Sequence, residues 1–270
     1  MTQLRIAVAG GTGWIGRLVV AAARDAGHDT VVLARSTGVD LVSGQGVAAA
    51  LRGVDVVIDV ANLKSNSGAK ATSFFEAATR NLLAAEAEAG VGHHVVLSIV
   101  AVDRIDVGYY AAKRRQEKLA LAGPIPVSIL RATQFFEFAV QMTDRAVGPF
   151  VPAPRLISQP VAAREVAAEL VRIAAGPPLG DRIEQMAGPE ELRIDRLVRQ
   201  IIKTRGLRRV AVPIRLPGKA WREQANGGLL PRGEVLLGKI PYAEWLSSPD
   251  GHATAPSAPA APSAPSAPAA

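Results

Sequence analysis

The 270-residue sequence contains no cysteine. That absence excludes disulfides, thiolate zinc sites, iron–sulfur clusters and thiol nucleophiles together. Histidine is nearly as scarce, with four in the chain, and two of these, His93 and His94, are adjacent. Neighbours in a strand point to opposite faces, so the pair does not readily share one ion, and no metal site is expected. No segment approaches the ~20 uninterrupted apolar residues that a membrane helix needs. The opening MTQLRIAVAGG enters an apolar strand without the basic flank, longer apolar stretch and small-residue cleavage site of a signal peptide. A soluble, cytoplasmic protein without a membrane partner is the expectation. Acids are almost missing from one stretch: between Arg193 and Arg222 ten Lys or Arg face the single acid Asp195. The formal net charge of +7 is therefore local, and the remainder of the chain is slightly acidic.

What is present is a substantial hydrophobic fraction, 49%, in a chain long enough for one large domain or one domain with a small lobe. Leu4 to Ala9 is an apolar run ending in glycines, followed by a helical pattern through Leu18, Val19 and Ala22 that stops at Gly27. Further strands are expected over 30–34, 54–60, 95–100 and 127–131. Ala-rich helices lie between several of them, notably 73–89, ended by Gly90, and 109–122, ended by Gly123. Apolar strands interleaved with helices predict a parallel sheet covered on both faces, an α/β doubly wound Rossmann-like fold. Residues 1–148 form this nucleotide-binding unit. After Gly148 three prolines, Pro149, Pro152 and Pro154, introduce shorter α and β pieces, so that 149–252 reads as a small substrate lobe interleaved with the sheet. Within it, Ile194, Leu197, Val198, Ile201 and Ile202 share one face of a helix whose other faces are basic. Trp221 and Trp245 read as anchors of this lobe. Residues 253–270, almost wholly Ala, Pro and Ser, read as a disordered tail.

The segment Gly10-Gly11-Thr12-Gly13-Trp14-Ile15-Gly16 lies between the first strand and the first helix. Glycine permits positive φ and close backbone approach, so the first helical N–H groups and the positive helix end can meet a pyrophosphate. Gly16 lets the helix pack closely on the sheet. After the second strand, where such folds usually offer an acid to the ribose 2′-hydroxyl, stand Arg35, Ser36 and Thr37. A guanidinium and two hydroxyls suit a 2′-phosphate, so NADP(H) is favoured over NAD(H), although an ordinary solvated arginine would read the same way. Ala61 and Asn62 follow the strand ending at Val60 and are expected along the cofactor, with Asn62 equally readable as a turn residue.

Tyr109 and Lys113 are four residues apart at the start of a helix, which places them on one face. A nearby ammonium would lower the Tyr pKa and prepare the hydroxyl to pass a proton to a carbonyl oxygen as hydride arrives at carbon. Lys113 could also hold the nicotinamide ribose, and Ser98, at a strand end, would polarise the same carbonyl; both are expected to touch the cofactor as well. With these residues on the page the chain resembles a short-chain dehydrogenase/reductase, in particular the atypical, NmrA-like branch with isoflavone-reductase and quinone-reductase relatives. The resemblance spans residues 4–250 and rests on Gly10-x-x-Gly13-x-x-Gly16, Arg35, the Asn62 region, Leu97-Ser98-Ile99-Val100, Tyr109-x-x-x-Lys113 and Leu130-Arg131-Ala132-Thr133-Gln134-Phe135-Phe136. It implies a Rossmann-like domain, NADP(H) as cofactor and a substrate cleft between that domain and a small C-terminal lobe. Ile99 and Val100 stand where active members usually carry more hydroxyls, and some relatives bind the dinucleotide without reducing anything.

Thr133, Gln134, Phe135 and Phe136 are expected to face the substrate, where paired Phe rings would stack on a flat quinone or enone; simple core packing suits them as well. Three functional readings follow. The first is an NADPH-dependent reductase of a carbonyl, enone or quinone small molecule, working as a monomer or homodimer. The second is a non-catalytic NADP(H) redox sensor acting on a protein partner through the basic lobe. Nucleic-acid binding by 193–222 ranks last, because aromatics for base stacking are scarce there.

Overall fold

A computed structural model describes residues 2–63, 67–105, 108–180, 182–215 and 219–252. The Ala/Pro/Ser tail read over 253–270 lies outside them. The first unit runs β1 (Arg5–Ala9), α1 (Trp14–Asp25), β2 (Asp29–Leu33), α2 (Val47–Ala50), β3 (Val56–Asp59), α3 (Gly68–Ala89), β4 (His93–Ile99), α4 (Gly108–Leu121) and β5 (Val127–Ala132). The chain continues through α5 (Glu137–Arg145), β6 (Phe150–Pro154), β7 (Ile157–Ser158), α6 (Ala163–Ala174), β8 (Ile183–Ala187), β9 (Leu192–Arg193), α7 (Ile194–Thr204) and β10 (Val210–Ile214). It closes with α8 (Lys219–Glu223), β11 (Leu236–Leu237), α9 (Tyr242–Ser247) and α10 (Pro249–His252).

Seven strands form one parallel sheet in the order β11-β8-β5-β4-β3-β1-β2. The apolar runs are continuous because both faces are covered. Ile6 and Val8 of β1 pack with Val19, Val20 and Ala23 of α1 and with Val166 and Leu170 of α6. The alternate residues Ala7 and Ala9 turn to Ala78, Leu82 and Ala85 of α3. His93 and His94 follow the same alternation: His93 Nε2 lies 2.7 Å from Ser128 Oγ, whereas His94 Nδ1 lies 2.8 Å from Glu86 Oε1 in α3. Burial pushes His93 down to about 4. His94 is raised because the adjacent Glu86 carboxylate outweighs its burial.

Helix ends follow local chemistry. The Ser67 side chain accepts a hydrogen bond from the Lys70 N–H, which starts α3 five residues before the sequence expectation, and Gly90 closes it at φ +73°. Beyond β5 a second core gathers Phe136, Ala139 and Val140 of α5, Leu197, Val198 and Ile201 of α7, and Tyr242 and Trp245 of α9. The two short sheets β6–β10 and β7–β9 border it.

Candidate active site

The site begins at the carboxyl ends of β1 and β3, where the sheet order reverses and α/β folds bind ligands. Gly10 has φ +78°, and a Cβ there would sit 2.9 Å from Ala61 Cα. At Gly13 a Cβ would meet the Gly10 carbonyl oxygen at 2.9 Å, and at Gly16 the same oxygen at 2.2 Å. Each contact is with backbone, so these glycines set the clearance of the turn itself. The turn is closed by Gly13 N–H donating to the Gly10 carbonyl (2.8 Å) and Gly11 N–H to that of Val8 (3.1 Å). Trp14, Ile15 and Gly16, the first residues of α1, have N–H groups without intrahelical acceptors, which leaves an electropositive helix end suited to an anion. Thr12 is exposed beside it.

Gly10 N–H donates to the Leu33 carbonyl, holding the end of β2 beside the turn. Arg35 to Thr37 form a short 3-10 turn there. Thr37 Oγ1 is committed, donating to the carbonyls of Val32 and Ala34 (both 2.8 Å). The Arg35 and Ser36 side chains are exposed.

Next to the turn lies a cavity of about 130 Å³ lined by Ile15, Val60, Ala61, Asn62, Leu97 to Val100, Tyr109, Tyr110, Lys113, Ala132 to Phe135, Ser158 and Leu229. It unites Ala61, Asn62, Ser98, Tyr109, Lys113, Thr133, Gln134 and Phe135, which the sequence singled out from four separate segments. Trp14 reaches its edge, its ring 5.7 Å from that of Phe135. Phe136 is not part of the wall. It is 0% exposed and packs on Tyr242 and Trp245 in the second core, because the backbone following β5 turns successive side chains apart.

Tyr109 and Lys113 share the α4 face but take different partners. Tyr109 donates to Asn62 Oδ1 at 2.9 Å. Lys113, 4% exposed, donates to the Leu97 carbonyl at 2.6 Å and to Gln116 Oε1, and its ammonium lies 4.9 Å from the Phe75 ring centroid. Gln116 in turn donates to Asp59 Oδ2 at 2.8 Å, while Asp59 Oδ1 accepts the Ala61 N–H at 2.9 Å. Burial pushes Lys113 down to about 8 against the pull of Asp59 and Glu117. Tyr109 is raised above its ordinary value by burial, then by Tyr110 and Asp59. The expected lowering of the tyrosine by the lysine is therefore corrected: a buried ammonium seeks acceptors, and the nearest ones lie toward β4 and Gln116. Tyr109 is held as a neutral donor. Ser98, 1% exposed, has no hydrogen-bond partner among the described residues. Thr133 lines the wall, but its hydroxyl donates to the Gln159 carbonyl at 2.6 Å.

Sequence reasoning missed Asp59, Gln116, Tyr110, Leu229 and Ser158. Asp59 was readable as an acid closing an apolar strand, and Gln116 as the residue three on from Lys113. Leu229 and Ser158 arrive from distant segments and left no local signal.

Residues 6–102 match the NAD dependent epimerase/dehydratase family. Over that stretch the chain is similar to NAD-dependent epimerases and dehydratases, and its sheet order gives it a Rossmann-like fold. A (4-alkanoyl-5-oxo-2,5-dihydrofuran-3-yl)methyl phosphate reductase of Streptomyces griseus is 28% identical over 218 residues, covering 74% of each chain. A short-chain dehydrogenase/reductase superfamily protein of Agrobacterium tumefaciens with bound NAD superposes with TM-score 0.66 at 20% identity, over 90% of this chain and 94% of that one. MoeE5, solved with UDP-glucuronic acid and NAD, gives 0.67 at 20% identity, over 86% and 90%. No helix among the described residues is long and apolar enough to cross a membrane.

Proposed function

We propose that this chain is an NADP(H)-dependent reductase of a small conjugated carbonyl compound, an enone, quinone or unsaturated acyl lactone, on the NmrA-like side of its superfamily. The observation that carries the reading is the cavity beside the glycine turn, with an unpartnered hydroxyl on Ser98 and a proton-bearing phenol on Tyr109 in one wall. The Streptomyces relative, a reductase of an alkanoyl dihydrofuranone phosphate, supports the substrate class.

In this reading Gly10, Thr12, Gly13, Trp14, Ile15 and Gly16 hold the pyrophosphate, Arg35 and Ser36 hold the 2′-phosphate, and Ala61 and Asn62 flank the dinucleotide. When bound, the nicotinamide would supply hydride to carbon, and the accompanying proton would come from water. Ser98 donates a hydrogen bond to the substrate carbonyl oxygen, where negative charge develops, and Tyr109 adds a second by exchanging its bond to Asn62 Oδ1 for the substrate; such donors act strongly in a water-poor site. Lys113, charged below about pH 8, adds a buried positive charge on the same side. Ile15, Leu97, Ile99, Val100 and Phe135 give the apolar walls that a conjugated ring needs.

The test is fluorescence titration with NADPH and NADH, then NADPH consumption against a panel of quinones, enones and butenolides. Tighter NADPH binding that Arg35→Ala abolishes, with turnover of a panel member, supports the proposal. Equal affinities refute the NADP preference. Tight binding without turnover of any member favours the sensor reading, and no binding of either nucleotide refutes the whole proposal.

A further inference from the structure

Eight buried side-chain atoms among the described residues lack a hydrogen-bond partner, and they belong to Thr79, Glu86, His94, Ser98, Arg104, Glu137, Ser158 and Glu165. Of these residues, Ser98 and Ser158 line the cavity. Each is 1% exposed. Buried hydroxyls are ordinarily hydrogen-bonded, and one left open toward a cavity is placed to serve a ligand.

Ser98 lines the cavity from β4, and Ser158 from β7. It ends β7, where it pairs with Leu192 of β9. The segment is pinned on both sides of the strand end. The Gln159 carbonyl accepts from Thr133 Oγ1 (2.6 Å) and from the Gly188 N–H (3.0 Å), and Gln159 Nε2 donates to the Gly188 carbonyl (2.8 Å). Val161 N–H donates to the Gln134 carbonyl, and Phe136 N–H to that of Val161. Its neighbours are thus satisfied and fixed, while the Ser158 hydroxyl is free to donate or accept. Phe135 and Leu229 are among the apolar residues that line the same cavity.

We propose that Ser158 is a specificity-determining residue that hydrogen-bonds a second oxygen of the substrate. The site then selects compounds with two oxygen functions, a conjugated carbonyl at Ser98 and an acyl or lactone oxygen at Ser158, over compounds with one. The inference rests on the reading of the cavity as the substrate site.

The test compares wild type with Ser158→Ala on α-acetylbutenolide, which has a lactone and an acyl oxygen, and on cyclopentenone, which has one oxygen. Steady-state kinetics with NADPH and calorimetric binding of both compounds to the NADP-loaded protein are measured together. The expected result is a three- to tenfold rise in KM and Kd for the acetylbutenolide, about one hydrogen bond. For cyclopentenone, kcat and NADPH affinity, little change is expected. The melting temperature should hold, since the hydroxyl bonds nothing in the fold. Equal losses on both compounds, unchanged acetylbutenolide binding, or a melting temperature lowered by several degrees would overturn the role of Ser158. Binding loss confined to acetylbutenolide, without turnover by wild type, would support Ser158 and sink the reductase reading. Turnover with Ser158→Ala indistinguishable from wild type would do the reverse. Wild type that binds neither compound overturns both.

Discussion

Gly16→Ala isolates the glycine turn from the rest of the site. The new Cβ would lie 2.2 Å from the Gly10 oxygen and 2.7 Å from Gly11 Cα, and neither atom belongs to a side chain that can swing away. The first turn of α1 must retreat by about 1 Å, a displacement that costs on the order of a hundredfold where geometry governs function. For stability two effects oppose: overpacking costs ~1–3 kcal/mol, and alanine recovers ~1 kcal/mol of helix propensity. The melting temperature should therefore fall by only a few degrees. Cofactor binding has no such compensation. The N–H groups of Trp14 to Gly16 move out of reach of a phosphate, and losing one charge-assisted hydrogen bond, worth ~1.5–3 kcal/mol, weakens binding roughly 10- to 100-fold. Gly27→Ala is the control. It meets open space but holds φ +83°, so it shares the stability loss and leaves the turn alone. Kd for NADPH by fluorescence and melting by circular dichroism give both readouts. Wild-type affinity in Gly16→Ala, with the fold intact, would refute the assignment of the turn as the phosphate cradle.

Two pH effects follow from buried bases. Lys113, held near 8 in the fold against 10.5 when exposed, binds fewer protons folded than unfolded across that interval, so stability should rise as pH goes from about 8 to 10.5. The same titration removes the buried positive charge, so kcat/KM should fall on the alkaline side through about pH 8, and Lys113→Arg should shift that limb upward. His93, held near 4 against 6.5, is neutral in the fold, so its contribution is complete above pH 6.5 and is lost as pH falls toward 4. An upper bound is about 3 kcal/mol at 1.36 kcal/mol per unit. Urea unfolding across pH 4 to 7 measures this, and His93→Gln should flatten the acid slope; an unchanged slope would contradict the assignment.

The fold was legible because its determinants are local. Alternating burial on two covered faces makes each central strand a short apolar run, and Gly27 and Gly90 end their helices visibly. Boundaries slipped where chemistry hid the pattern. His93 and His94 begin β4, yet imidazoles do not read as strand core, so the sequence expectation started at Val95. Strands β8 and β11 join the sheet from the C-terminal half, where IEQMA and two leucines give no signal of their own. The site divides in the same way. Glycine spacing and the residues at strand ends announced the turn and one wall of the cavity. Phe136 failed because its neighbour Phe135 takes the cavity side. Ser158 and Leu229 were invisible because only tertiary packing brings them in.

The Tyr109 and Lys113 pair shows why spacing alone misassigns chemistry. Four residues apart, the side chains do share a helix face, and that inference held. Which acceptor each finds is decided outside the helix. The end of β4 presents the Leu97 carbonyl, and Asp59 reaches across through Gln116, so the ammonium joins a chain of acceptors and leaves the phenol to Asn62. A phenol raised by burial and by Tyr110 and Asp59 keeps its proton at neutral pH. On the proposed reading charge on a substrate oxygen would be met by neutral donors, Ser98 and a Tyr109 that exchanges Asn62 for the substrate, with Lys113 acting at a distance as a positive charge below about pH 8. Tyr109→Phe should consequently lower kcat by the loss of one hydrogen bond, around tenfold. A loss of several orders of magnitude would instead assign the tyrosine an obligatory proton transfer.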